Sequence, residues 1–292
     1  MHLLIQATIL GLLAGGVYAL MASGLTLAFG VMKVINVAQG AVIVAGAFLS
    51  YTLFTKLHID PFVSIVLLAP LMFVFGVALQ LIFIRPLRTD EREELSLLVT
   101  WALALGIEGL LSVLYKTNYK STITSYADKS WNVFGYRLSE VRVFAFLLSA
   151  LILSGLYVVL TRSEFGRSMR ATVQNPTSAR LLGVNTERVA AFGFGLSLAT
   201  ATAAGAVFGM IQPFNPGSHY DLISRLLSII VLGGLGSLGG AIIAALIMGV
   251  TEAVFAAEIS ATWSSFTFFI VLIAILLLRP QGLFGSTERG AL

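Results

Sequence analysis

The sequence predicts an all-α protein, a polytopic bundle of about eight or nine transmembrane helices in which some helices are broken or re-entrant. Apolar residues fill 58% of the 292 positions and charged residues only 11%, whereas an ordinary soluble domain has about 25% charged residues. The mean hydropathy is +0.94. The apolar runs do not alternate in polarity as the strands of a transmembrane β-barrel do. We therefore expect a single transmembrane domain over residues 1–292.

The composition also excludes several classes of protein. A chain this apolar is not a soluble enzyme, and it is not a disordered or fibrous protein. It contains no cysteine, which excludes disulfides, zinc-thiolate sites, iron–sulfur clusters and cysteine nucleophiles. The net charge of +4 comes from basic residues spread between apolar runs. That pattern is typical of loops beside anionic membrane lipid rather than of nucleic-acid binding.

The apolar runs define the expected spans. The run 3–32 has no charge and lacks the basic region of a cleaved signal peptide, so we expect it to be kept. It is either one long tilted helix or a helix followed by a half-helix that re-enters near 24–30. Further runs cover 37–55, 62–84, 95–115, 143–160, 189–211, 222–257 and 263–278. The run 222–257 is too long for one span, and we expect two helices that meet at its glycine cluster.

The distribution of Lys and Arg predicts the orientation. The segments 85–94 and 162–188 hold eight of the 18 basic residues. The same side holds Lys33, Arg279 and Arg289. The opposite side holds six basic residues, and Arg225 lies too near a helix start to be assigned. The side richer in Lys and Arg is normally cytoplasmic, which puts the N-terminus outside and the C-terminus inside.

Polar residues inside the apolar runs are the first candidates for function. Asn36 and Gln39 lie three apart, on one face if that stretch is helical. Their amides either bind a polar solute or bond each other and a freed carbonyl. Glu108 and Glu252 are the acids well inside apolar runs. No basic residue lies within two turns of Glu108, and Glu252 falls near a predicted interface, so a structural or interface role is favoured for both.

The sequence offers no metal site and no catalytic residue. The three histidines are scattered near predicted helix ends and lack the spacing of metal ligands. They are His2, His58 and His219. No set of serine, histidine and acid suggests a nucleophile.

Glycines recur at four-residue spacing, as in helices that approach closely in lipid. The pairs are Gly11 with Gly15, Gly205 with Gly209, and Gly236 with Gly240. The cluster 233–240 lacks the Lys and Ser or Thr that end a phosphate-binding loop. We expect a break between two half-helices there, with backbone groups that face a solute or a partner helix.

The segment 161–188 is the longest polar stretch on the predicted inner side. Asn175 fits a helix cap, Pro176 the first helical position, and Gly183 the left-handed position after a helix. These signals predict a short helix at about 175–184.

The predicted short helix has an apolar side made by three residues and a charged residue beside it. The apolar residues are Ala179, Leu181 and Leu182, and the charged one is Arg180. A helix this short is marginal in water on its own. It therefore docks either on this chain's own helix ends or on a cytoplasmic partner.

Five ordered motifs carry a family resemblance over nearly the whole chain. They are GLTLAFGVM at 24–32, VINVAQG at 34–40, FGRSMRA at 165–171, ARLLGVN at 179–185 and VLGGLGS at 231–237. Together they resemble the LivH-type permeases of branched-chain amino-acid ABC importers. The resemblance implies a bacterial inner-membrane permease subunit that pairs with a second, related permease. Two cytoplasmic ATPases, which bind ATP and Mg²⁺, and a periplasmic solute-binding protein complete such an importer, and this chain needs no cofactor.

The resemblance also assigns candidate residues. By this resemblance, the short helix corresponds to the family's coupling helix, which contacts the ATPase. Arg167 and Arg170 flank it. The full set is Arg167, Arg170, Asn175, Pro176, Ala179, Arg180, Leu181, Leu182, Gly183 and Val184. The candidate translocation path consists of Asn36, Gln39, Gly40, Gly233, Gly234 and Gly236.

Departures from the family pattern leave the solute open. The family usually reads Asn-Phe-Ala-His-Gly-Glu where this chain has residues 36–41 as Asn-Val-Ala-Gln-Gly-Ala, so an ionisable His and an acid are missing. The usual acid before Arg85 is missing too. The path could carry branched-chain amino acids, or urea, short amides or aromatic acids. An ion-coupled secondary transporter that relies on Glu108 or Glu252, and a passive channel or structural subunit, are the further alternatives.

Overall fold

The computed structural model of the chain describes residues 2–87, 92–124, 126, 129–133, 135–260, 262–279 and 281–284. Arg289 and part of the basic segment 85–94, both used to predict orientation, lie outside these ranges. The helices are α1 His2–Met32, α2 Gln39–Leu57, α3 Pro61–Leu79 with a π-helical turn Gln80–Ile84, α4 Arg92–Tyr115, α5 Glu140–Arg162, α6 Glu164–Gln174, α7 Pro176–Leu181, α8 Thr186–Ile211, α9 His219–Gly233, α10 Leu238–Glu258 and α11 Phe266–Leu278. A 3₁₀ turn, Pro216–Ser218, precedes α9, and β1 Ser130–Val133 pairs antiparallel with β2 Tyr136–Ser139.

Seven helical stretches among the described residues are long and apolar enough to cross a membrane, by length and composition alone. They are α1, α2, α3 with its π-helical turn, α4, α5, α8 and α10. α9 has 15 residues and α11 has 13. The predicted all-α polytopic bundle is confirmed, while the total of eight or nine spans stays a prediction.

α8 occupies the centre of the bundle. Nearly all of its residues are buried, and it packs against α1, α2 and α3. Small residues allow this close packing: Gly195 meets the Phe73 carbonyl of α3, and Gly46 of α2 meets Thr202. Gly205 also contacts the Ile43 carbonyl of α2. The glycine spacing therefore does what close helix packing in lipid requires.

α1 is one continuous helix, so the alternative of a half-helix that re-enters near 24–30 is wrong. The chain breaks instead after Met32, where Lys33 has a positive φ of 53°. α2 begins beside α1 about two turns before the end of that helix, because Gly24 faces the side chain of Gln39. Gly24 precedes Met32 by eight residues, or about 12 Å of helix. The re-entrant segment is thus 33–38, which turns back into the bundle.

α9 also begins inside the bundle. A Cβ on Gly40 would lie 2.6 Å from the carbonyl oxygen of His219, so the first turns of α2 and α9 touch. The predicted break in 222–257 is confirmed, since α9 ends at Gly233 and α10 starts at Leu238. α9 is therefore a half-helix that runs from the interior of the bundle to the glycine bend.

The irregular segments inside the bundle have backbone partners, as apolar surroundings require. The hydroxyl of Thr100 on α4 accepts a hydrogen bond from Val37 N (3.2 Å) and lies 3.3 Å from the Ile35 carbonyl oxygen. Before α9, Lys120 and Phe214 exchange two backbone hydrogen bonds of 2.8 and 2.9 Å. These bonds fix the entry points of α2 and α9.

The β-hairpin sits at the end of the bundle where α1 begins. The ring of His2 stacks on Tyr136 with 4.4 Å between centroids. Tyr126 OH donates to Asp60 Oδ2 at 2.7 Å, which ties the loop before the hairpin to the start of α3. Burial and this bond to Asp60 raise the pKa of Tyr126 above its ordinary value, so the phenol stays a donor.

α1 and α10 pack with their backbones in contact. A Cβ on Gly249 would lie 2.6 Å from the Gly11 carbonyl oxygen, and a Cβ on Gly15 would lie 2.8 Å from Leu246 Cα. Because backbone is on both sides, neither helix yields by moving a side chain. Both glycines predicted as a packing pair in α1, Gly11 and Gly15, are in this seam.

Gly249→Ala should lower the free energy of unfolding by about 1–3 kcal/mol, the usual effect of overpacking. The measurement is equilibrium unfolding in mixed detergent micelles. The matched control is Gly155→Ala, where no described atom lies within 4 Å of the added Cβ. That variant should be as stable as the parent or more so, because alanine favours helix by about 1 kcal/mol over glycine. Equal losses in both variants would contradict the backbone contact.

Candidate functional site

The polar segment 161–188 forms two helices at the end of the bundle opposite the hairpin. Ser163 caps α6 by accepting from Gly166 N at 3.0 Å, and Asn175 caps α7 by accepting from Ser178 N at 3.0 Å. Pro176 is the first residue of α7. The helix covers 176–181, which is shorter than the predicted 175–184, because the chain turns at its C-terminal end.

The turn after α7 is a Schellman motif. Gly183 has a φ of 85°, and its N–H bonds to the Arg180 carbonyl at 3.0 Å. Val184 N bonds to the Ala179 carbonyl at 3.0 Å. Both bonds and the left-handed glycine are the features of this helix stop, so Gly183 does here what the sequence predicts.

The three apolar residues of α7 do not share one side, contrary to the prediction. Ala179 is 2% exposed and docks on the chain's own helices, while Leu181 and Leu182 are 85% and 82% exposed. They diverge because the helix is only six residues long and Leu182 already belongs to the turn. α7 therefore buries Ala179 and leaves an apolar tip, Leu181 and Leu182, uncovered.

The charged residue of α7 connects it to α8. Arg180 Nε donates to Thr186 Oγ1 at 2.8 Å, and Thr186 is the first residue of α8. The linker between α7 and α8 is only four residues long. A displacement of α7 therefore acts directly on the start of the central helix.

Arg167 and Arg170, predicted to flank the coupling helix, have partners within the chain. Arg170 Nη1 donates to the Leu160 carbonyl near the end of α5. Arg167 lies 3.7 Å from the Glu164 carboxylate and donates to the Arg162 carbonyl at 3.4 Å. Both brace the corner between α5 and α6. Their contact with an ATPase stays a prediction.

A polar cleft of 530 Å³ lies behind α7. Its walls come from the end of α1, the π-helical turn and the start of α8. Its charged lining residues are Lys33, Arg85, Arg180 and Glu187. Arg85 and Glu187 form an ion pair of 2.7 Å between half-exposed side chains, and this pair joins α8 to the segment after α3.

Asn36 and Gln39, proposed for the translocation path, are fully buried inside the chain. Asn36 Nδ2 donates to Gln39 Oε1 at 3.2 Å, and Ser197 Oγ donates to the same oxygen at 3.1 Å. Gln39 Nε2 donates to the Ser197 carbonyl at 3.3 Å. The sequence left two alternatives, a bound solute or internal hydrogen bonds. In the structure the two amides bond each other and a carbonyl of α8. A place on the path stays a prediction for both.

The proposed glycines of the path lie in two separate places. Gly40 packs against the start of α9, whereas Gly233, Gly234 and Gly236 belong to the bend between α9 and α10. In the bend, Gly234 and Gly236 have positive φ values of 93° and 85°, which favour glycine. A Cβ on Gly236 would lie 3.6 Å from Gly30 Cα. The bend therefore contacts the last turns of α1 at Gly30. Gly30 lies six residues, or about 9 Å of helix, beyond Gly24.

Sequence reasoning missed a buried charge cluster that joins four helices. Arg225 of α9 forms an ion pair with Glu252 of α10, and the two side chains are only 12% and 15% exposed. Tyr18 OH of α1 donates to Glu252 Oε2 at 2.9 Å. Arg225 also donates to Asp221 Oδ2 at 2.9 Å and to Ser265 Oγ, just before α11, at 2.7 Å. Glu252, for which the sequence favours a structural role or a place near the membrane interface, thus pairs with Arg225, which the sequence left unassigned.

A second cluster missed by the sequence contains Glu108. His219 Nε2 lies 3.1 Å and Tyr220 OH 2.9 Å from Glu108 Oε2. These residues are more than 100 positions apart, so no local pattern could have paired them. The described residues contain no group of three His, Asp or Glu able to hold a metal ion.

The chain also matches known proteins. Residues 7–276 match the family described as branched-chain amino acid transport system, permease component. The chain belongs to this family. The high-affinity branched-chain amino acid transport system permease protein BraD of Pseudomonas aeruginosa is 29% identical to it, with 97% of this chain and 96% of BraD covered. The corresponding protein LivH of Escherichia coli K12 is 28% identical, with 95% and 94% covered. The resemblance found in the motifs is confirmed.

Two further relatives extend the comparison. The probable branched-chain amino acid transport permease protein LivH of Methanocaldococcus jannaschii is 30% identical over 91% of this chain and 88% of its own. LivM of Escherichia coli K12, another permease protein of its system, is 28% identical over 55% of this chain and 39% of LivM. No solved structure matches the chain.

Glu252→Leu should lower the free energy of unfolding by about 3–5 kcal/mol, because it leaves the buried guanidinium of Arg225 without its main partner. Equilibrium unfolding in mixed micelles measures it. The control is Glu258→Leu at the exposed end of α10, which should change stability by no more than about 0.5 kcal/mol. If both variants unfold like the parent, the ion pair does not hold α9 to α10.

Proposed function

We propose that this chain is the permease subunit of a binding-protein-dependent ABC importer for branched-chain or related amino acids. It forms half of the translocation path, and a second, related permease forms the other half. Two cytoplasmic ATPases bind ATP and Mg²⁺, and a periplasmic solute-binding protein delivers the solute. The match of residues 7–276 to the permease family carries the proposal. The partial match to LivM supports a second, related permease.

The coupling helix in this proposal is α7. Its tip, Leu181 and Leu182, is an uncovered pair of apolar side chains beside a capped helix. Burial of exposed apolar surface by a partner favours protein–protein association. The bond between Arg180 and Thr186 and the short linker pass a displacement of α7 to α8. ATP binding and hydrolysis shift the equilibrium between outward and inward states through their different contacts with this helix.

The proposed orientation puts α7 in the cytoplasm of a bacterial cell and the N-terminus outside the inner membrane. The contact of His2 with the hairpin residue Tyr136 supports it, because the hairpin lies at the bundle end opposite α7. The larger number of basic residues on the α7 side agrees with the positive-inside rule.

Leu182→Glu should reduce co-purification of the ATPases with the tagged chain by at least about tenfold, since a charge at a buried anchor of an interface costs more than 1.4 kcal/mol. The fold should be unaffected, because the side chain is 82% exposed. Pull-down in mild detergent, with the thermal transition as a check on folding, measures this.

The matched control for this variant is Ile123→Glu, an exposed apolar residue near the hairpin, at the opposite end of the bundle. It should leave the ATPases bound. ATPases that stay with the Leu182→Glu chain would refute the coupling role of α7, and a parent chain that binds no ATPase would refute the importer.

A further inference from the structure

Glu108 is an acid with one oxygen occupied and one open. Oε2 receives both hydrogen bonds, from Tyr220 OH and His219 Nε2. No described residue donates to Oε1, and the side chain is 24% exposed. A Cβ added at Gly217 would lie 3.9 Å from Oε1, so the 3₁₀ turn before α9 passes beside this oxygen. Oε1 is thus the carboxylate oxygen without a described donor, on a side chain that is partly exposed.

This carboxylate lies well inside a membrane-spanning helix. Glu108 precedes Tyr115, the end of α4, by seven residues, or about 10 Å of helix. An ionisable side chain at such a depth faces a protein interior or a water-filled path rather than lipid, because lipid cannot solvate it. An accessible carboxylate oxygen at this position therefore indicates a polar compartment beside α4 and α9.

The compartment continues along one face of α9. Residues at the spacing of a helical face are partly or fully exposed there, while most other residues of α9 are buried. The face consists of Tyr220, Ser224, Leu227 and Val231. Its polar end is at Glu108, and its apolar end reaches the glycine bend at Leu235 and Gly236, both exposed. From the start of α9 to its end, this face thus presents the Glu108 carboxylate and then an aliphatic surface.

We infer that Glu108 binds the α-ammonium group of the transported amino acid and that this face of α9 lines the path. The inference rests on the proposed function and names the side chain and the helix face that would contact the solute of that path. An ammonium group donates three hydrogen bonds, and Oε1 accepts. The aliphatic side chain fits the apolar end of the face. The second permease closes the compartment from the opposite side.

His219 and Tyr220 are positioning residues for this carboxylate. His219 is 3% exposed, its ring packs against Tyr220 with 3.9 Å between centroids, and its Nε2 points at Oε2. Where Glu108 is ionised, Nε2 carries the proton and donates. Both groups hold Oε2, which leaves Oε1 as the oxygen available to the solute.

The first test is ATP-driven uptake of L-leucine by the whole importer, reconstituted in liposomes with its partners and binding protein. Glu108→Gln, which keeps the shape and removes the charge, should cut uptake by at least about tenfold, the loss of one charge-assisted hydrogen bond. Glu108→Asp restores the charge and should transport within about threefold of the parent. Glu258→Gln, an exposed acid at the end of α10, is the control and should transport like the parent.

The outcomes separate this inference from the proposed function. A parent complex that takes up L-leucine with ATP, together with an equally active Glu108→Gln complex, overturns the inference alone. A parent complex without ATP-driven uptake overturns both. Co-purification of the partners with Glu108→Gln checks that the variant folds and assembles, and if it does not, Glu108→Asp decides through its uptake.

The second test uses the absence of cysteine from the chain, which makes single-cysteine variants specific. Ser224→Cys should react with a water-soluble thiol reagent in the importer, and L-leucine with its binding protein and ATP should slow the reaction. Leu151→Cys, on an exposed apolar face in the middle of α5, should not react, because lipid covers it. Equal reactivity of both positions, or no effect of L-leucine on Ser224→Cys, would contradict a path along α9.

Discussion

Inside an apolar bundle, every backbone break and every charge must find its partner within the protein, and the rest of this structure depends on that constraint. Unsatisfied groups in a bilayer cost several kcal/mol each. The chain departs from continuous helix at the start of α2, before α9 and between α9 and α10. At the first two, bonds from Thr100 and from Lys120 supply the missing partners. At the third, the Leu232 carbonyl just before the glycine bend accepts a backbone hydrogen bond of 2.7 Å from Leu283 N.

α9 lies between two of these breaks and has polar attachments on two sides. On one side, Arg225 fixes it to α1, α10 and the start of α11. On the other, His219 and Tyr220 reach Glu108 of α4. At its end, glycines allow the chain to turn. α9 packs a buried apolar side into the core, and a few charged contacts add to that packing. Charged contacts of this kind exchange between discrete arrangements, and alternating access needs such an element.

Much of this architecture is readable from the sequence because it depends on local signals. Apolar runs locate the spans to within a few residues, glycines 233–240 locate the bend, and Asn175, Pro176 and Gly183 locate α7, since caps and left-handed turns act over three or four residues. The contacts of Glu252 with Tyr18 and of Glu108 with His219 depend instead on which helices meet. Residues separated by 234 and 111 positions carry no shared periodicity. The sequence leaves the role of Asn36 and Gln39 open for the same reason, because the carbonyl that Gln39 bonds belongs to Ser197, 158 positions away.

The central claim is that partner ATPases drive this permease, and vesicle uptake tests it most directly. The chain, its permease partner, the ATPases and the binding protein would be reconstituted in liposomes, and uptake of L-leucine followed with ATP or with an imposed proton or sodium gradient. The account predicts uptake that requires ATP and binding protein and is indifferent to the ion gradient. Uptake that persists without ATP and collapses with the gradient would contradict it and identify an ion-coupled carrier.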